Sequence, residues 1–163
     1  MEPIEILIPD NEGNHLVVAL SFYEDNEKFE TFHIPQEFVE LEIADISISK
    51  LNENQPLGSS AFFQMCQWLI DKFQQFPNAV FSFICSTDEL ATNHPNINPE
   101  QYRWNLFEFY YKRNLAKLKD MGIESKDIIV GPEGYQTFAK VFYRICHAPI
   151  IHLVENHLSN KYS

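Results

Sequence analysis

Apolar and polar residues alternate with period two through most of the first sixty positions. Leu16, Val18, Leu20 and Phe22 fall on one side of an extended segment. Phe32 and Ile34 fall on one side of the next, across a turn rich in Glu, Asp and Asn at Glu24–Glu27. Val39, Leu41 and Ile43 then alternate with Glu40 and Glu42. Here the phase slips: Ala44 and Asp45 intervene, and Ile46 and Ile48 resume out of step. One extra residue in an alternating strand reads as a β-bulge, and two short strands joined at a bend explain the slip equally well.

The period then becomes helical. Phe62, Cys66, Leu69 and Phe73 recur at three-to-four spacing, flanked by Met65 and Trp68, with Ser59 or Ser60 placed to cap the start and Pro77-Asn78 beyond the end. Residues 79–85 are nearly all apolar, which predicts a central strand covered on both faces and commonly paired in parallel. A polar loop from Ser86 to Pro99 leads to a second helix, about Pro99 to Met121. Its stripe is Phe107, Tyr111 (or Tyr110), Leu115, Leu118 and Met121, and Gly122 closes it. A short strand at Ile128–Val130 runs into a Gly-Pro-Glu-Gly turn. Residues 135–145 fit either a helix or a strand, and Ile150 to Leu158 fit a terminal helix after Pro149. The expected fold is α+β: an antiparallel β-meander, then helix–strand–helix and a mostly helical C-terminus. The chain reads as one domain over 1–163, an acidic β-rich half at 1–58 and a helix-rich half at 59–163.

Composition agrees with a packed core: 45% of the residues are hydrophobic and 14% aromatic. No run approaches the ~18 consecutive apolar residues of a membrane helix, and Met1–Asp10 is too acidic and too short in apolar residues for a secretory leader. Cys66, Cys85 and Cys146 stand isolated in apolar runs, which favours buried reduced thiols in a cytoplasmic protein; neither a disulfide framework nor a cysteine zinc site is expected. His147, His152 and His157 recur every five residues, a spacing that suits no helical metal pair, so they read as ordinary surface or interface histidines and no metal is expected.

Charge changes the picture more. Residues 1–60 hold thirteen carboxylates against Lys28 and Lys50, whereas residues 61–163 hold ten of each sign, so the whole net charge of −11 belongs to the first third. A field of this kind favours a cationic small molecule or a basic protein as partner and opposes free nucleic acid.

The main chemical candidate is the junction Gln55-Pro56-Leu57-Gly58-Ser59-Ser60, which follows a strand and opens a helix. Backbone N–H groups there, at the positive end of the helix dipole, suit a phosphate; an ordinary capped helix start is the plainer alternative. Tyr110 and Tyr111 on the second helix are either core aromatics or proton donors. Lys112, Arg113, Lys117 and Lys119 form either a solvated helix face or a phosphate seat, and Asp88 and Glu89 are either a base or solvent-facing.

This order of elements, with Gln55, Gly58 and Ser60 in the loop, resembles the GCN5-related N-acetyltransferase core, over about residues 15–130. The resemblance implies acetyl-CoA as cofactor. Its pyrophosphate would lie on Gln55, Leu57, Gly58, Ser59 and Ser60, and its pantetheine between splayed strands at 44–48 and 80–84. Asn105 would assist on the following helix, and Tyr110 or Tyr111 would protonate the leaving thiolate. The activity implied is acyl transfer to a cationic amine. Three features depart from the family pattern: Ser60 replaces a Gly or Ala, Pro56 removes a backbone donor, and the C-terminus reads as helical where the family has a hairpin. The chain also resembles small uncharacterised bacterial domains with a Cys85-x-x-Asp88 turn ahead of a helix bearing Arg103 and Phe107, which implies no activity. The alternative function is a non-catalytic acidic interaction protein, of antitoxin, immunity or anti-defence type, that neutralises a basic partner.

Overall fold

The alternation around Leu16–Phe22 forms strand β2 (His15–Phe22), and the run before it, with Ile4, Ile6 and Ile8 in phase, forms strand β1 (Ile4–Pro9). The computed structural model describes residues 2–10, 13–51, 59–84, 108–130 and 137–161. After β2 come helix α1 (Asp25–Glu30), a 3-10 turn (Gln36–Phe38), β3 (Glu42–Lys50), α2 (Ser59–Gln75) and β4 (Ala79–Ile84). A helical stretch over 108–113 follows and breaks at Asn114 before α3 (Leu115–Asp120). Then come β5 (Ile123–Val130), β6 (Thr137–Arg144), a 3-10 segment (Ile145–Ile150) and α4 (Ile151–Lys161).

The strands form one six-stranded mixed sheet in the order β1-β2-β3-β4-β6-β5. Only β3 and β4 run parallel, because the 17-residue helix α2 carries the chain back across the sheet between them. Three strands come from each half of the chain.

Both faces of the sheet are covered. On one, α2 and residues 108–121 pack on Ile8, Val18, Leu20, Ile46, Phe81 and Phe83. On the other, α4 and the segment holding Phe32, Ile34 and Leu41 pack on Ile43, Val80, Ile128, Ala139 and Val141. The expected central strand is β4: the first five of its six residues are buried.

Several expectations are corrected. No strand forms at Phe32 and Ile34. Instead α1 starts where the Glu27 carboxylate accepts the Glu24 N–H at 3.2 Å, and Phe32 and Ile34 turn inward from irregular backbone that includes a positive φ of 60° at His33. Val39 lies outside β3, at the end of the 3-10 turn. No bulge interrupts β3: its pairs with β2 run unbroken from Phe22↔Ala44 to Leu16↔Lys50. The apolar phase slips because β3 is central, with Ile43 packed on one face and Ala44, Ile46 and Ile48 on the other. Residues 137–144 are strand, so the mostly helical C-terminus is really a β5–β6 hairpin followed by α4. β5 is also longer than Ile128–Val130. Gly122 ends α3 with φ 74°, the left-handed cap expected of a glycine there.

Candidate functional site

The resemblance centres on the β3–β4 pair. A parallel ladder joins them without interruption from Glu42↔Ala79 to Ile46↔Phe83. The opening expected between 44–48 and 80–84 is therefore absent over 44–46 and 81–83, where in-register pairing holds the strands together. Beyond Ile46 and Phe83 no further β3–β4 pair follows among the described residues. β3 continues to Lys50 against β2, and Ile84 pairs with Ala139 of β6.

Gln55, Leu57, Gly58 and Asn105 lie outside the described residues, as do Cys85, Asp88, Glu89, Arg103 and Phe107. Ser59 opens α2, and Ser60, its second residue, is half-buried. Tyr110 is 3% exposed, stacked on Phe62 with centroids 5.5 Å apart and edge-on to Phe63 at 5.0 Å. Tyr111 shares a 2.7 Å hydrogen bond between its hydroxyl and Ser125 Oγ. The two tyrosines come together on a small apolar cavity of about 40 Å³, lined also by Ile46, Cys66, Asn114 and Phe142. That is room for one or two waters. Burial pushes the Cys66 thiol up to about 11, so it stays protonated.

Sequence reasoning missed the most unusual charged group, Lys140. It lies on β6 in phase with Phe138 and Phe142, and that lysine within an aromatic series was the available signal. Its side chain is 2% exposed, with Nζ 2.6 Å from Asp127 Oδ1 and 2.6 Å from Glu108 Oε1. The contact to Asp127 is an aligned hydrogen bond; that to Glu108 is close but off the hydrogen-bond direction, so charge carries it. Nζ also lies 4.1 Å from the Tyr111 ring centroid. Burial alone would lower the ammonium's pKa, but the hydrogen bond to Asp127 and the close negative charges of Glu108 and Asp127 outweigh it and hold the group above its ordinary value.

Lys28, one of the two cations of the acidic third, is also buried. Its ammonium donates to Val39 O at 2.7 Å, Leu41 O at 2.8 Å and Asp25 Oδ1 at 3.3 Å. Asp45 on β3 accepts two hydroxyl donors, Tyr23 at 2.7 Å and Ser82 at 2.6 Å. Arg144 donates to the carbonyls of Phe73 and Phe76 at the C-terminal end of α2. His147 is buried with no hydrogen-bond partner at Nδ1. Burial first, and the Arg144 charge second, hold its pKa below the ordinary histidine value. His152 is exposed and His157 half-buried beside Phe32.

The cations of the second helix, Lys112, Arg113, Lys117 and Lys119, are all exposed. Among the described residues no group of three or more His, Cys, Asp or Glu side chains is placed to hold a metal ion. No helix among them is long and apolar enough to cross a membrane. No protein-family description, curated protein or solved structure matches this chain.

Proposed function

We propose that the protein is a non-catalytic interaction module whose acidic first third receives a basic protein. The observation that carries this reading is the placement of Lys28. From Glu24 to Glu42 the sequence holds seven carboxylates and one cation, Lys28. That ammonium is turned inward onto backbone carbonyls, so Glu24, Glu30, Glu37 and Glu40 are exposed on a segment whose only cation is buried. A field of one sign concentrates oppositely charged partners and speeds their encounter. Among the described residues, Asp45 is bonded to the Tyr23 and Ser82 hydroxyls, Tyr111 to Ser125 and Lys140 to Asp127, and Tyr110 is packed among aromatics, as in a structural core. The test is affinity capture with wild type and with Glu24→Lys/Glu37→Lys/Glu40→Lys, at about 0.15 M and about 1 M salt. Partners should be basic, salt-sensitive and absent with the triple variant, and should rebind when purified. Recovery of the same proteins by both baits overturns the reading.

One observation favours a second reading, acyl transfer from acetyl-CoA to a cationic amine. The parallel β3–α2–β4 crossover followed by the β5–β6 hairpin is the order the resemblance implies, and β3–β4 pairing stops before either strand ends. Against it, the cavity between Tyr110, Tyr111 and Ile46, about 40 Å³, is too small for a pantetheine arm. A ligand that binds the native state raises its stability. Millimolar acetyl-CoA that leaves the melting temperature unchanged sinks this reading. If a shift is seen, Gly58→Trp should abolish it.

A further inference from the structure

Two exposed patches on opposite sides of the sheet complement each other in both charge and hydropathy. The first lies over the face packed by α2. Phe63 of α2 and Phe109 of the following helix are 38% and 52% exposed, and the Arg113 guanidinium stands 4.6 Å and 5.6 Å from their ring centroids. Lys117, four residues on, is also exposed. Exposed aromatics gathered around an arginine have the composition of an interface centre, where Trp, Tyr and Arg, with Phe, are enriched. The second patch lies at the end of the 3-10 turn, on the segment packed against the opposite face. There Val39 is 56% exposed between exposed Glu37 and Glu40.

We infer that these patches are the two halves of one contact between copies of this chain, the Phe63–Phe109–Arg113 surface of one receiving the Glu37–Val39–Glu40 corner of the next. Because the sheet separates the patches, a single copy cannot bring its own together. The contact is therefore heterologous, and it propagates head to tail or closes a ring. Each copy carries −11, so copies repel at long range. At about 0.15 M salt that repulsion is screened beyond ~8 Å, while close opposite pairs still attract. The inference concerns this chain alone and does not depend on the partner proposed above.

Sedimentation velocity at about 0.15 M salt, up to roughly millimolar protein, tests it with two charge-reversed variants: Arg113→Glu/Lys117→Glu, and Glu37→Lys/Glu40→Lys. Wild type should self-associate with micromolar to millimolar affinity, and each variant alone should be monomeric. Mixed, the two should form a heteromeric complex, since the intact acidic corner of one meets the intact basic surface of the other, and the two reversed patches are again opposite in charge. All four positions are exposed, and that complex would itself show that both variants fold; a variant that unfolds alone is replaced by its glutamine counterpart. Wild type that stays monomeric overturns the inference. So does a folded variant that associates like wild type, or a mixture that yields no complex.

Discussion

The Lys28 ammonium lies 2.8 Å from the carbonyl oxygen of Leu41, thirteen residues further along the chain. With its 2.7 Å bond to Val39 O, it ties α1 to the backbone that enters β3. A lysine is suited to this because three donors leave one compact head, and the same ammonium stands 5.0 Å from the centroid of the Phe29 ring. Lys28→Met keeps most of the side-chain volume and strips the buried Leu41 carbonyl and the part-buried Val39 carbonyl of their donor. Urea unfolding should show a loss of about 1–3 kcal/mol, with Lys28→Arg intermediate. An unchanged midpoint would mean that water replaces the ammonium at no cost.

Lys140 poses the opposite problem, a buried cation against two carboxylates of unequal exposure. Removing it leaves Glu108, 20% exposed, without its charge partner, while Asp127, 58% exposed, returns to water. Lys140→Met should therefore cost about 2–3 kcal/mol, at the low end for a broken buried pair because solvent screens one arm. The folded pKa is raised, so the stabilisation is complete below the unfolded value of about 10.4 and is lost as pH rises through the folded pKa. The gap between wild type and variant should hold from neutral pH to about 10 and narrow above it. A gap that closes in mild acid would instead point to the carboxylates.

His147 works in the acid direction. Its folded pKa is lowered by burial and by Arg144, so the unfolded chain takes up the proton first as pH falls. Its contribution is present above the unfolded value of about 6.5 and is lost as pH drops below it. The stability difference between wild type and His147→Phe should therefore shift in favour of the variant from pH 7 to pH 5. A difference that is flat across that range would show the imidazole taking up its proton in the folded state.

The two described cysteines should differ in chemistry. Cys146 is exposed, whereas the Cys66 thiol is held at about 11 beside the apolar cavity. Alkylation by iodoacetamide at neutral pH, followed by peptide mass spectrometry, should modify Cys146 within minutes and spare Cys66 until denaturant is added. Equal labelling under native conditions would mean that α2 opens readily.

The local pattern alone predicted the elements with a single strong period. α2 was legible because its apolar stripe repeats at helical spacing over seventeen residues, and β4 because an unbroken apolar run suits a strand buried on both faces. The charge asymmetry and the left-handed cap at Gly122 were also readable from residue types, whereas the expected burial of the cysteines fails at Cys146, which is exposed. What failed depended on partners distant in sequence. Phe32 and Ile34 alternate like a strand, yet they fill a layer over Ile43 and Val80 from irregular backbone. Residues 135–145 were ambiguous, and over 137–144 strand won because β4 and β5 both pair with β6. Of the candidate site, the sequence placed Tyr110 and Tyr111 on a helix but could not show one packed on Phe62 and the other bonded to Ser125. Nor could it foresee that Lys28 and Lys140 point inward. Composition by itself determined the sign and location of the charge, since charge is a sum over residues. Only the tertiary structure decided which charges face solvent, because burial depends on carbonyls and carboxylates that the chain brings alongside from elsewhere.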